Sequence, residues 1–196
     1  MKNGKLVATL GAVALVAAVG VGSTLAYLTD ETGTVTNTFT LGNVTFDEDM
    51  AGGLAENPVA LNEDGKYVIS DTEEWVTSNE YEKVTPNETV AKNPTAFVDA
   101  DSENAWLFVR VSNSADYQAI DFDDAFTVVA TTANYTDLRL TEEAVAGGQY
   151  EIFNQVTVAD LENGAELDDI TIKAALIQAE GVTAADAYGM AGDLLD

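Results

Sequence analysis

Asp99, Asp101, Glu103 and Asn104 place four oxygen-bearing side chains within six residues, and their near-alternate spacing suits a hard cation such as Ca²⁺. The stretch lacks the glycine and the later bidentate glutamate of an EF-hand loop, so an ordinary acidic turn is the competing reading. Other chemistry has little to work with. The chain contains no cysteine and no histidine, which removes disulfides, thiolate nucleophiles, imidazole bases and the usual zinc ligands together. Carboxylate pairs are plentiful, but among 34 acidic residues they arise by chance. No cofactor is expected beyond a possible Ca²⁺.

Two strands must hold that acidic loop. Residues 96–98 lead into it, and residues 106–111 lead out as Trp-Leu-Phe-Val-Arg-Val. In the second strand Leu107, Val109 and Val111 share one face while Trp106, Phe108 and Arg110 share the other. The aliphatic face is expected in the core, with Arg110 near solvent.

A second group of residues points to processing. Lys2 and Lys5 precede an uncharged run over residues 6–22, and Thr24 and Ala26 supply the small side chains that an export peptidase requires. Residues 1–26 therefore read as a cleaved signal peptide, with Tyr27 as the mature N-terminus. A permanent membrane anchor is the alternative, but the run is short for a bilayer core of roughly 30 Å and rich in glycine and alanine. Before cleavage the signal peptide is the only expected membrane contact.

Directly behind the cut, residues 33–46 carry no charge. Val35, Phe39 and Leu41 alternate with four threonines, and Val44 and Phe46 resume the alternation after Gly42-Asn43. This is the period of a strand with one apolar and one hydroxyl face. Thr favours strands over helices, which strengthens the assignment.

Removal of Lys2 and Lys5 leaves six of the eight basic residues against 34 acids, a net charge of −28 on the mature chain. Such a surface repels nucleic acid and anionic lipid, and attracts cations or basic partners. Simple solubilisation of an extracellular protein accounts for it equally well. Residues 27–196 are enough for one core and one domain.

Along that domain, residues 47–58 read as a loop or short helix. Residues 67–70 form a strand or hairpin arm after the turn at residues 62–65. Trp75 and Tyr81 sit in an acidic loop, and Thr85-Pro86-Asn87-Glu88 is a turn before a strand through Val90. Further strands are expected at residues 126–130, 150–153, 156–158 and 169–178, and one helical turn at residues 142–146. Thr183 and Asp186 form a capping box, with Val182 and Ala187 as a staple, so a helix follows over residues 184–195. Many short strands with little helix define an all-β protein built as an antiparallel sandwich, with short helices and a C-terminal helix.

The run from Thr24 to Glu31, Thr-Leu-Ala-Tyr-Leu-Thr-Asp-Glu, followed by residues 37–44, resembles the export-and-maturation segment of the TasA/camelysin family. Signals of that family are cut by a signal peptidase of the SipW type. Residues 84–94, with Leu107-Phe-Val-Arg-Val111, resemble the family's second signature, a V-x-P-G-x-x-V-x-K-x-P turn leading to Y-V-R-V. Ile152-Phe153 with residues 156–158, and residues 174–181 with residues 184–188, are similar to its final block. The blocks cover roughly half the chain in the family order. Asn87 stands where the family has Gly, which left-handed tolerance of Asn allows, and residues 112–150 match poorly.

The resemblance implies a jelly-roll sandwich and a secreted subunit of a biofilm matrix or surface fibre. In such a subunit the mature N-terminal segment pairs with a neighbour, either another copy or a related matrix subunit. On this reading Val35, Phe39, Leu41, Val44 and Phe46 form an assembly strand; on the other, residues 33–46 are the first strand of the chain's own sandwich. Camelysin-like relatives are described as metallopeptidases, but the chain has no H-E-x-x-H and no histidine with which to build a zinc site. A monomeric Ca²⁺-binding surface adhesin is the remaining alternative.

Overall fold

Apolar alternation becomes strand after strand in the computed structural model, which describes residues 29–31, 44–70, 72, 74–82, 84–162 and 164–196. In chain order the strands are β1 (Thr29–Glu31), β2 (Leu54–Ala55), β3 (Val59–Leu61), β4 (Tyr67–Ile69), β5 (Thr89–Ala91), β6 (Thr95–Phe97) and β7 (Ala105–Ser112). There follow β8 (Tyr117–Phe122), β9 (Phe126–Thr131), β10 (Tyr135–Leu140), β11 (Gln149–Glu151), β12 (Phe153–Val158) and β13 (Ile172–Gln178). One helix, α1 (Ala184–Leu195), closes the described chain.

Every strand pairing is antiparallel. A five-stranded sheet runs β1-β13-β7-β10-β9, with two three-stranded sheets, β11-β6-β2 and β5-β12-β8, and the hairpin β3-β4. The fold is the expected all-β sandwich. Leu107, Val109 and Val111 of β7, with Leu138, Ala174 and Leu176 from its neighbours, meet Val90, Ala96, Phe153 and Val156 in one core. Each aliphatic side chain fully buried there contributes about 1.5–3 kcal/mol, so the face of β7 that the sequence assigns to the core has a strong reason to be there.

The opposite face of the five-stranded sheet is also covered. Phe108, Ala175 and Ile177 pack against Val182, Ala187, Ala191 and Leu195 of the C-terminal segment. Helix α1 occupies the residues its capping box predicts: the Thr183 Oγ1 accepts from the Asp186 N–H at 3.2 Å, and the Thr183 hydroxyl donates to the Asp186 carboxylate at 2.7 Å. The helix makes the sandwich a three-layer structure, and it changes the surroundings of Arg110, as shown below.

Turn chemistry fixes the connections. Asn87 has φ 64°, with the Glu88 N–H donating to the Thr85 carbonyl at 3.1 Å, so Asn fills the left-handed position behind Pro86. The Asn62 side chain accepts from the N–H groups of Asp64 and Lys66, closing the β3-β4 hairpin around Gly65. Trp75 docks edge-on against Phe97 with ring centres 4.7 Å apart, as a loop aromatic should.

Two expectations are corrected, and two strands form where none is expected. Residues 142–146 make no helical turn: Ala144 is fully buried and exchanges both backbone hydrogen bonds with Ala105, extending the end of β7 before the Gly147-Gly148 turn. Helix α1 is accordingly the only helix among the described residues. The strand expected over residues 169–178 begins at Ile172, because Thr171 is engaged at its N–H by the Ser112 hydroxyl at 2.8 Å. β8 and β10 lie where the sequence shows no clean apolar alternation; their polar residues Gln118, Asp121, Asp137 and Arg139 interrupt it.

Candidate functional site

The chain's entry into the sandwich brings the N-terminal segment and the acidic loop together. β1 lies at the outer edge of the five-stranded sheet, with Thr29 opposite Ile177 and Glu31 opposite Ala175. Thr24, Ala26, Tyr27, Val35, Phe39 and Leu41 fall outside the described residues. Val44 and Phe46 do not: both are buried in the domain's own core, and Phe46 forms an antiparallel bridge with Val98. Gly53 presses on that ring so closely that a Cβ there would sit 2.2 Å from the Phe46 Cβ, and its φ of 89° also requires glycine.

The loop after Val98 stitches this entry in place. The Asp99 N–H donates to the Thr45 carbonyl at 2.9 Å, and the Thr45 N–H donates to the Ser102 hydroxyl at 3.2 Å. Within the loop, the Asp99 carboxylate accepts from the Asp101 N–H at 2.7 Å, an Asx turn. The Asn104 amide donates to the Glu143 carboxylate at 3.2 Å. Asp101, Glu103 and Asn104 are exposed. Among the described residues no group of three or more carboxylates is placed to hold a metal ion. The Asp99 carboxylate and the Asn104 amide N–H group act here as structural partners for the turn and its neighbour loop.

The most highly charged buried contact is one the sequence does not advertise. Arg110 stands directly opposite Asp137 in the β7-β10 ladder. Its Nε donates to Oδ1 at 2.7 Å and its Nη2 to Oδ2 at 2.9 Å, a two-pronged pair with a carboxylate that has no solvent exposure. The guanidinium lies 3.8 Å over the Tyr135 ring and also donates to the Asp196 carboxylate. The Tyr188 hydroxyl of α1 adds a third donor to Asp137 at 2.8 Å. Arg110 is therefore largely enclosed beside α1, contrary to the expectation that it stays near solvent. The hydrogen bonds that Arg110 donates to Asp137 hold the guanidinium protonated well beyond the usual range, and burial followed by the bond to Asp137 pushes the Tyr188 phenol up to about 12.

A second buried pair joins the smaller sheets. Lys92 donates to Glu56 Oε2 at 2.6 Å, and the Glu56 side chain is almost wholly enclosed. Its Oε1 is a buried oxygen without a hydrogen-bond partner among the described residues. Tyr81, nearby, donates to the Ala91 carbonyl at 2.8 Å, and burial, then the charge of Glu56, raises its phenol above the ordinary range.

Comparison with protein-family models, with curated proteins and with solved structures finds no match to this chain. Among the described residues no helix is long and apolar enough to cross a membrane.

Proposed function

We propose that this chain is an exported structural subunit of a bacterial extracellular matrix or cell surface, assembling into fibres by addition of its N-terminal strand to a neighbouring subunit. The observation that carries this reading is the position of β1. Its described residues Thr29–Glu31 lie just behind the expected cut after Ala26 and occupy the outer edge of the five-stranded sheet. An edge strand exchanges more easily between its own sheet and a neighbour's than a central one, and sheet edges are natural acceptors for an added strand. The uncharged, Thr-alternating residues 33–43 continue from it and supply Val35, Phe39 and Leu41 as side chains for a neighbour's apolar pockets.

Two further features support the reading. Of the sequence blocks similar to the TasA/camelysin family, residues 84–94 fall on a turn and β5, residues 107–111 on β7, and residues 174–181 with 184–188 largely on β13 and the capped helix, while most of the first block lies outside the described residues. The mature net charge makes copies repel one another at low ionic strength, so export can precede assembly and screening can trigger it. Signal cleavage by a peptidase of the SipW type is the step that frees the strand. Light scattering of mature protein beginning at Tyr27, as salt is raised, tests this: growth of high-mass species is expected, and a monomer at every salt concentration contradicts it.

A further inference from the structure

A cleft of about 910 Å³ opens where residues 77–82 and 84–86, with residues 161–162 and 164–170, fold over the sheet β5-β12-β8. Its floor is apolar, formed by Val90, Val156 and Val158 with Tyr117, Leu167 and Ile170. Its rim is acidic, carrying Glu80, Glu82, Glu162, Asp168 and Asp169. Asp168 accepts from the Ser114 hydroxyl at 2.9 Å, whereas the carboxylates of Glu80, Glu82, Glu162 and Asp169 have no hydrogen bond or ion pair among the described residues. Lys92 is the one described base in the lining, and the buried Glu56 already neutralises it. The acidic field is felt at the floor, where burial and then Asp116, Asp169 and Asp168 raise the Tyr117 phenol above its ordinary value.

Charge complementarity decides what fits. A second copy of a chain with net charge −26 would bring acid against acid. The uncharged residues 33–43 would cover the floor and leave the rim unanswered. One wall also offers main-chain recognition: residues 77–81 belong to no sheet, and their backbone groups make no hydrogen bond among the described residues. An extended peptide can use such a wall, seat its apolar side chains on the floor and reach the rim with the side chains between them. We propose that this cleft docks an extended segment of a partner protein in which apolar residues alternate with Lys or Arg.

The test uses mature protein at low ionic strength, where it stays dispersed, and reads fluorescence anisotropy of labelled peptides. A Lys-Val alternating peptide is expected to bind, and binding is expected to weaken as salt rises. Replacing the exposed rim groups together, Glu82→Gln, Glu162→Gln and Asp169→Asn, is expected to weaken it about tenfold, as three screened charge contacts imply. Leu167→Ser is expected to weaken it without changing the salt dependence. Equal binding of a Lys-Ser alternating peptide overturns the proposal by showing charge attraction alone. Unchanged affinity in the rim variant, or tighter binding of a peptide copying residues 33–43, overturns it in favour of an apolar site for the chain's own segment.

Discussion

Arg110 and Asp137 face each other across two central strands and close a two-pronged ion pair at 2.7 and 2.9 Å, on the face of the sheet that α1 covers. Tyr188 reaches the same carboxylate from the helix. The contact therefore ties β7, β10 and α1 together, and it places a full charge where solvent cannot reach it.

Removing Asp137 leaves the enclosed Arg110 with only the exposed Asp196 carboxylate as a counter-charge. Asp137→Ala is expected to destabilise the domain by about 3–5 kcal/mol, the usual range for removing one partner of a buried pair. The double variant Arg110→Met, Asp137→Leu is expected to regain most of that loss, because two packed apolar side chains need no partner. Urea unfolding of the three proteins measures both, and a double variant as unstable as the single one contradicts the account.

Tyr188 makes the same contact pH-sensitive at the alkaline end. Its phenol is raised from the ordinary value of 10 to about 12, by burial first and then by its bond to Asp137. A raised folded-state value favours the protonated form, so this contribution is complete below pH 10 and is lost as pH rises from there through about 12. Tyr188→Phe is expected to flatten stability across that window. Unfolding curves at a series of alkaline pH values, beside phenolate absorbance, give the comparison.

Phe46 and Phe39 should behave differently although one sequence pattern contains both. Phe46→Ala is expected to cost about 3–5 kcal/mol of domain stability, because its ring fills the core against Gly53. Phe39→Ser is expected to leave the unfolding curve of the dispersed protein unchanged and to suppress fibre growth. Thermal melts paired with light scattering separate the two roles.

Where one residue type dictates the backbone, the sequence was a sufficient guide. Thr183 with Asp186 marked the start of α1, Pro86-Asn87 marked a turn, and the Leu107-Val109-Val111 face marked the core strand. Asp137 and Glu56 were not legible, since an acid in an acid-rich chain reads as surface until its cross-strand partner is known. Arg110 carried the only hint, being an arginine within an otherwise apolar strand. β10 was hidden for the same reason: the Asp137 and Arg139 that interrupt its pattern are satisfied across the sheet and against Trp106. The apolar alternation of residues 33–46 concealed a boundary, because Val44 and Phe46 belong to the domain's own core while Val35, Phe39 and Leu41 lie outside the described residues.

That boundary defines the most direct test of assembly. Electron microscopy should compare mature protein beginning at Tyr27 with a version lacking residues 27–43, a deletion that removes the edge strand β1 but retains Val44 and Phe46 of the core. Fibres from the full mature chain and dispersed, folded monomers from the shortened one are the predicted result. Fibres from both would contradict assembly by strand addition.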